Sequence, residues 1–356
     1  MKIDIAANER LIPMTDARLR FTGRIGMDDP ANPFFIYVCS SVALRVTGHT
    51  LRVALTNQRS FYENRLGVIV NGVEDAVLLA DGEQVIDLSA HLTADENDVL
   101  LFKRQDCCHA YTLHGLVIGA EAALLPLPER PARRMEVYGD SVSAGEVSEA
   151  EFACGQTDPE GHNGRYSNGY LSYAWQAARL MHAELYDIAT GGMALLDGTG
   201  YFNAPDYIGM VSGWDKVNYY PAFGAPTDWD FSRYTPHVVV VAIGQNDHHP
   251  VNIMAEDYDS AASAHWRGEY VRFLQNLRGK YPKAHIVCTT TILGHDAAWD
   301  RAIDQCVRDT GDVRIHHFLY SRNGCGTPGH IRGSEAAVMA RELADFVEAL
   351  PGVWAD

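Results

Sequence analysis

Three residues that are far apart in the chain are of the types that acyl transfer requires. Ser141 comes shortly after the apolar run 135–138, Asn246 comes shortly after the run 238–243, and His330 precedes the last predicted helix. Both runs read as buried strands, and ligands of open α/β sheets collect beyond the carboxyl ends of the strands. A hydroxyl, an amide and an imidazole at that edge would supply a nucleophile, an oxyanion donor and a general base.

Each residue also has a purely structural interpretation. Ser141 could be a helix N-cap, because serine favours that position, and Asn246 could simply turn the chain after its strand. His330 is one of 15 histidines, set apart by its place in a Gly- and Pro-rich loop after the final strand. Gly191-Gly192 follows the second predicted strand, either as an ordinary loop or as an amide that can approach an oxyanion closely because no side chain intervenes.

Length and charge limit the function classes. A chain of 356 residues is too long for one compact core and predicts two domains. The formal net charge of −17 argues against nucleic-acid and anionic-membrane partners, because phosphate binding uses clustered Lys and Arg. The same charge is compatible with a neutral substrate such as a sugar ester.

Targeting and cofactor signals are missing from the sequence. No run approaches the roughly 18–20 apolar residues of a membrane span, and the N-terminus has no apolar signal core, so we expect a cytoplasmic protein unless a signal was removed, in which case it is secreted. The seven cysteines lack regular spacing and are interpreted as reduced thiols. The pairs His248-His249 and His316-His317 lack the spacing of a helical zinc site, so neither a metal nor another cofactor is expected.

The first third of the chain is predicted to be an antiparallel β-sandwich of jelly-roll type. Short β-type runs with turn signals recur, and Asn71-Gly72 is a strong hairpin signal. A second hairpin is expected at 47–50. We place this accessory domain at 1–125, followed by a Pro-rich linker at 126–134.

The remainder, 135–356, is predicted to be an α/β domain. Strands alternate with helices, which implies a three-layer αβα arrangement around a mostly parallel five-stranded sheet. The expected strands are 135–138, 184–189, 237–243, 285–293 and 314–320, and the expected helices are 170–182, 266–281, 297–310 and 334–350. The aromatic-rich stretch 191–234 has no periodicity and is typical of a functional loop.

These motifs resemble a known superfamily. In order, Gly139-Asp140-Ser141, Gly191-Gly192, Gly244-Gln245-Asn246-Asp247 and His330 resemble the four blocks of the SGNH (GDSL-type) hydrolases. Two further segments, 133–145 and 229–237, are similar to the catalytic domain of carbohydrate esterase family 2. The segments 21–24 and 68–72 are similar to the N-terminal jelly roll of that family.

The resemblance implies an acetyl esterase that acts on acetylated xylan, xylo-oligosaccharides and similar sugars. By this analogy Ser141 attacks the acetyl carbonyl and His330 is the base. The oxyanion would bind the amides of Ser141 and Gly192 and the side chain of Asn246, with Gly191 as the substitute for Gly192. Trp214 and Asp247 are candidate substrate contacts, although Asp247 also suits a role in holding the turn.

One departure from the superfamily concerns the group that orients His330. An Asp is usual two or three residues before the His, but those positions hold Pro328 and Thr327. We therefore expect a Ser-His dyad in which a backbone carbonyl of the 324–328 loop holds the imidazole. A remote Asp that folds in from elsewhere is the alternative.

Other functions remain open at this point. A lipase or thioesterase could use the same scaffold, although the aromatic loop suits sugar stacking better than a long acyl chain. A catalytically weak carbohydrate-binding protein is a second alternative, because the usual Asp is missing. An acetylated oligo- or polysaccharide is the expected partner, and self-association into a homo-oligomer is left open.

Overall fold

Two antiparallel sheets form the first part of the protein in the computed structural model, which describes residues 1–355. One sheet has the order β1-β10-β5-β8 with β3 beside β10, and the other has the order β11-β4-β9-β6-β7 with β2 beside β4. The strands are β1 Glu9–Ile12, β2 Arg20–Thr22, β3 Phe34–Phe35, β4 Ser41–Thr47, β5 Leu51–Arg59, β6 Asn64–Val70, β7 Val73–Leu79, β8 Gly82–Asp87, β9 Glu96–Lys103, β10 His109–Gly119 and β11 Leu124–Leu125. Alternate residues of β4 are buried in a core that both sheets share, which confirms the predicted sandwich.

The two expected hairpins have different outcomes. β6 and β7 pair antiparallel around Asn71-Gly72, and both turn residues have positive φ, as this tight turn requires. The hairpin expected at 47–50 is wrong, because β4 pairs with β2, β9 and β11 whereas β5 belongs to the other sheet. The 47–50 turn therefore connects the two layers of the sandwich, an arrangement that a local turn signal does not distinguish from a hairpin.

The second part contains a five-stranded parallel sheet of order β13-β12-β14-β15-β16. Its strands are β12 Arg133–Gly139, β13 Ala183–Ala189, β14 Val238–Ala242, β15 His285–Cys288 and β16 Ile315–His317. The helices are α1 Ser141–Ala144, α2 Tyr173–Leu180, α3 Met210–Gly213, α4 Ile253–Glu256, α5 Ala261–Lys280, α6 Ala297–Thr310 and α7 Gly333–Glu348. The helix expected at 297–310 is found at those bounds. The helices expected at 170–182, 266–281 and 334–350 differ by a few residues at their ends from the observed α2, α5 and α7.

Side chains of β14 explain the three layers. Val239 and Val241 pack into a core with α5 and α6, whereas Val238 and Val240 pack into a second core with α2 and α7. Because successive residues of a strand point to opposite faces, one uninterrupted apolar strand can serve both layers. The predicted three-layer αβα domain is confirmed.

The two parts share buried contacts. Arg24 of the sandwich is fully buried and donates to Glu136 Oε1 at 3.0 Å, Tyr138 Oη at 2.9 Å and the carbonyl of Trp214 at 2.6 Å. Tyr37 of the sandwich lies in the same core as α5 and α6. The sandwich therefore packs directly against the α/β domain and shares part of its core. Among residues 1–355 no helix has the length and apolar character needed to cross a bilayer.

Candidate active site

Ser141 lies at the turn between β12 and α1. β12 ends at Gly139, Asp140 is the N-cap, and Ser141 is the first residue of the helix. A Cβ on Gly139 would lie 2.1 Å from Ser143 Oγ, so a side chain there would prevent this tight turn. Ser141 is 4% exposed and lines a cavity beside the sheet edge.

Asp140 connects the serine turn to the turn after β14. Its Oδ1 accepts from the amide of Val142 at 3.0 Å, and its Oδ2 accepts from Gln245 Nε2 at 2.6 Å and Asn246 Nδ2 at 3.0 Å. Burial raises the pKa of Asp140 to about 6, against the effect of these hydrogen bonds. The two strand ends that carry Ser141 and Asn246 are thereby held side by side.

Two backbone amides are available as oxyanion donors. The N–H groups of Ser141 and Gly192 have no acceptor within residues 1–355, and both residues line the cavity. By contrast, the N–H of Gly191 donates to Asp106 Oδ2, a carboxylate supplied by the sandwich. Because the N–H of Gly191 is engaged, Gly192 stays the candidate for the second donor.

Asn246 lines the cavity, but its side-chain amide nitrogen already donates two hydrogen bonds within the protein. Its Nδ2 donates to Asp140 Oδ2 at 3.0 Å and to the carbonyl of Met193 at 3.1 Å. A primary amide has two hydrogens. An oxyanion would therefore receive a hydrogen from Asn246 only if the amide shared or released one of these acceptors.

A remote carboxylate orients His330, so the expected backbone carbonyl from the 324–328 loop is a wrong prediction. Asp158 Oδ2 lies 2.5 Å from His330 Nδ1, and Asp158 Oδ1 accepts from the backbone N–H of His330 at 3.0 Å. Arg332 Nη1 also donates to Asp158 Oδ1 at 3.0 Å. The alternative of an Asp that folds in from elsewhere is the one that the structure contains.

Gly329 explains how Asp158 reaches the histidine. A Cβ at Gly329 would lie 2.6 Å from the carbonyl oxygen of Gln156 and 2.9 Å from the amide of Asp158. A side chain at this position would therefore push the 154–168 segment, here called the Asp158 loop, away from His330. The glycine permits a carboxylate from another part of the chain to take the place of the usual neighbour.

Charges around the imidazole set its protonation. Burial disfavours the imidazolium, but the carboxylates of Glu146 and Asp158 more than offset it and raise the pKa of His330 to about 9. Burial likewise works against charge on Asp158, yet the hydrogen bonds from His330 and Arg332 hold its pKa well below its ordinary value. The site therefore contains an ionised acid beside a strong base.

His330 and Ser141 share the cavity without a hydrogen bond between them. At the ring nitrogen that Asp158 does not contact, His330 Nε2 lies 3.6 Å from Glu146 Oε2. Since catalytic hydrogen bonds often tighten only when substrate binds, the open geometry is compatible with a nucleophile-base pair.

The cavity has a volume of about 640 Å³ and walls from both domains. The sandwich supplies the residues Phe61, Tyr62, Gln105, Asp106 and Cys108, and the α/β domain supplies the aromatic residues Tyr201, Phe202 and Tyr220. Aliphatic side chains are few in the lining, namely Ala144, Ala204, Leu293 and Pro328. The surface thus offers aromatic faces and polar groups, with no extended aliphatic groove.

The two candidate substrate contacts lie elsewhere. Trp214 is buried against Phe231 and Phe273 and is not part of the cavity lining. Asp247 is 2% exposed, and its Oδ1 accepts from the amide of Leu195 at 2.9 Å and from Trp266 Nε1 at 2.6 Å. Both predictions are corrected: Trp214 is a core residue because its short helix turns the indole inward, and Asp247 holds the chain after β14.

Several cavity residues had no signal in the sequence. Asp158, Glu146 and Asp106 come from loops, and Tyr201 lies in the aperiodic stretch after β13. The sequence clue to Asp158 is Gly329, because a glycine there lets another backbone segment pack closely against it. The sequence does not indicate which segment does so. In the described part of the chain, His, Cys, Asp and Glu side chains form no group of three or more suited to a metal ion.

Comparisons with known proteins agree with this architecture. The family described as carbohydrate esterase 2 N-terminal matches residues 21–128. The chain is 27% identical over 349 residues to an acetylxylan esterase / glucomannan deacetylase from Cellvibrio japonicus, covering 95% of this chain and 90% of that protein.

Solved structures share the fold over nearly the whole chain. A family two carbohydrate esterase from Cellvibrio japonicus has a TM-score of 0.80 at 24% identity, covering 98% of this chain and 99% of that chain. A family two carbohydrate esterase from Clostridium thermocellum in complex with cellohexaose has a TM-score of 0.76 at 23% identity, covering 94% and 99%.

A sandwich joined to a three-layer domain, with a serine just after β12 and a histidine before α7, is the architecture that the chain shares with these family two carbohydrate esterases. The chain is similar to carbohydrate esterase family 2 in the sequence of its first part and in its fold over nearly the whole length.

Proposed function

We propose that this protein is a serine esterase that removes O-acetyl groups from carbohydrate through an acetyl-serine intermediate. The observation that carries the proposal is the cavity in which Ser141, two unpaired backbone amides and the His330–Asp158 pair come together. Similarity supports the substrate class, since a relative that is 27% identical over 95% of this chain is named acetylxylan esterase / glucomannan deacetylase.

The first half of the reaction uses each group in turn. Ser141 Oγ attacks the acetyl carbonyl carbon while its proton passes to His330 Nε2. The carbonyl oxygen becomes an oxyanion that accepts from the N–H groups of Ser141 and Gly192. Collapse of the tetrahedral intermediate breaks the ester bond, and the Nε2 proton moves to the departing sugar oxygen.

The second half regenerates the enzyme. Water attacks the acetyl-serine while His330 takes a proton from it, and acetate leaves as Ser141 Oγ regains its proton. Throughout, Asp158 fixes the tautomer with the proton on Nδ1 and stabilises the imidazolium that forms in each step.

The cavity lining supports sugar esters over long-chain acyl esters. Aromatic faces such as Tyr201 and Phe61 are suited to pack against sugar rings, whereas an octanoyl chain would need a continuous apolar groove. We propose acetylated xylan, xylo-oligosaccharides and similar polysaccharide fragments as substrates, which accords with the cellohexaose bound to a structural relative.

Acetate release from a panel of acetylated xylo-oligosaccharides, glucomannan fragments and monosaccharides tests the proposal. We expect turnover on several of these substrates and a strong preference for 4-nitrophenyl acetate over 4-nitrophenyl octanoate. Faster hydrolysis of the octanoate would favour a lipase, and saccharide binding without acetate release would favour a binding protein.

A further inference from the structure

We propose that Glu146 is a positioning residue for His330, whose carboxylate holds the imidazole from the Nε2 side and makes it a stronger base. This inference rests on the proposed function, because it concerns the base of that reaction. Asp158 contacts the imidazole at Nδ1, and Glu146 places a second carboxylate near the other ring nitrogen, Nε2.

The geometry places a carboxylate at each ring nitrogen. Asp158 Oδ2 lies 2.5 Å from Nδ1, and Glu146 Oε2 lies 3.6 Å from Nε2. The second distance is too long for a hydrogen bond but well within the range of a charge pair. Since the side chains of His330 and Glu146 are only 23% and 19% exposed, solvent screens their attraction weakly.

Glu146 is fixed to the segment that carries the nucleophile. Its backbone N–H donates to the carbonyl of Ser141 at 2.9 Å, directly after helix α1. Its Oε2 also lies 3.0 Å from the place that a Cβ on Gly191 would occupy, between the serine turn and the glycine turn. Among the charged residues that the structure describes, His330 is its one ion-pair partner, so the charge of Glu146 acts on the base.

Other titratable groups face this pair from each surrounding element. These groups are Asp140 just after β12, then Tyr62, Asp106 and Cys108 from the sandwich, Asp158 and His162 from the Asp158 loop, and Arg332 from the segment before α7. Arg332 is engaged by Asp158 at 3.0 Å. Burial, together with the charges of Asp106 and Asp158, raises the pKa of Glu146, while the charge of His330 lowers it.

The second carboxylate has two opposite effects on the rate. When His330 Nε2 receives the proton of Ser141, the imidazolium forms between two negative charges, so the proton transfer becomes more favourable. In the free enzyme the same charges keep His330 protonated at neutral pH, where it cannot accept a proton. Glu146 therefore shifts the working range of the enzyme toward alkaline pH.

The pH dependence of kcat/KM for 4-nitrophenyl acetate tests this role in Glu146→Gln. We expect the midpoint of the rising limb to fall by about one pH unit or more, because a nearby negative charge is lost. Activity at about pH 6 should then rise about tenfold, while the alkaline plateau falls because the base is weaker. Equal midpoints in the variant and the parent protein would overturn the inference.

Two further variants separate charge from structure. Glu146→Asp retains a carboxylate and should retain a midpoint closer to that of the parent protein than Glu146→Gln does. Glu160→Gln removes an exposed carboxylate from the Asp158 loop and should leave the profile unchanged. An equal fall in the midpoint in all three variants would contradict a specific role for Glu146.

An NMR titration of His330 gives a readout that does not depend on turnover. Labelled imidazole signals, with His330 assigned through His330→Ala, should titrate at lower pH in Glu146→Gln than in the parent protein. If the protein hydrolyses no acetyl ester, the proposed function fails while this titration still decides the inference. If hydrolysis occurs and the His330 titration is unchanged in Glu146→Gln, the inference alone fails.

Discussion

The carboxylate of Asp158 holds His330 at two points, the ring nitrogen Nδ1 at 2.5 Å and the backbone N–H at 3.0 Å, across 172 positions of sequence. Replacement by Asn keeps the size of the side chain but removes the charge that stabilises the imidazolium. We expect Asp158→Asn to lower kcat by about 10²- to 10⁴-fold with a much smaller change in KM. Steady-state kinetics on 4-nitrophenyl acetate measures this, and an unchanged kcat would remove Asp158 from the mechanism.

The pH profile of the parent protein follows from the charges around His330. Only the neutral imidazole accepts a proton, and its neighbours raise the pKa of His330 to about 9. We therefore expect kcat/KM to rise about tenfold per pH unit below a midpoint near pH 9 and to level off above it. A midpoint at about pH 6.5, the ordinary value for histidine, would show that the two carboxylates do not act on the base.

Gly329 provides a test of how the Asp158 loop is positioned. An added methyl group in Gly329→Ala would collide with the backbone at Gln156 and Asp158, so the loop must move. We expect a loss of kcat similar in direction to that of Asp158→Asn, because His330 loses its carboxylate. Gly268→Ala is the matched control, since an added Cβ there meets nothing within 4 Å. Equal activity in both variants would contradict the argument.

Aromatic residues at the cavity should bind the saccharide portion of the substrate. Tyr201 is 48% exposed, and its ring stacks on His249 at 4.3 Å, which leaves one face for a sugar. We expect Tyr201→Ala to raise KM for acetylated xylo-oligosaccharides about three- to tenfold with little effect on 4-nitrophenyl acetate.

The corrected position of Trp214 supplies the control for that experiment. Because Trp214 is packed in the core, Trp214→Phe should lower the Tm without a selective change in KM for oligosaccharides. A rise in KM for oligosaccharides in Trp214→Phe, with none in Tyr201→Ala, would instead assign saccharide binding to Trp214 and contradict its assignment to Tyr201.

Much of the fold was predictable because its periodicity is local. The all-apolar strand 238–242 signals a sheet that is covered on both faces, and Asn71-Gly72 signals its own hairpin. The hairpin predicted at 47–50 was wrong because the same turn residues can equally well connect strands of two different sheets. Local chemistry specifies that a chain turns but does not specify which layer the next strand joins.

The site was predictable only where strand ends fix positions. Ser141 and Asn246 could be placed near each other because parallel strands bring their carboxyl ends to one edge of the sheet, and both residues line one cavity. Asp158 was not found, because its place depends on how an aperiodic loop folds back over Gly329. Trp214 was misplaced for a similar reason, since the direction of a side chain in an irregular segment depends on tertiary packing.

Replacement of the nucleophile tests the central claim most directly. Ser141→Ala should reduce acetate release from acetylated xylo-oligosaccharides by about 10³-fold or more while the protein unfolds at the same temperature. Ser143→Ala, which removes a buried hydroxyl bonded to Tyr173 at 2.8 Å, should keep most of the activity even if the Tm falls. Near-normal acetate release by folded Ser141→Ala would contradict the account.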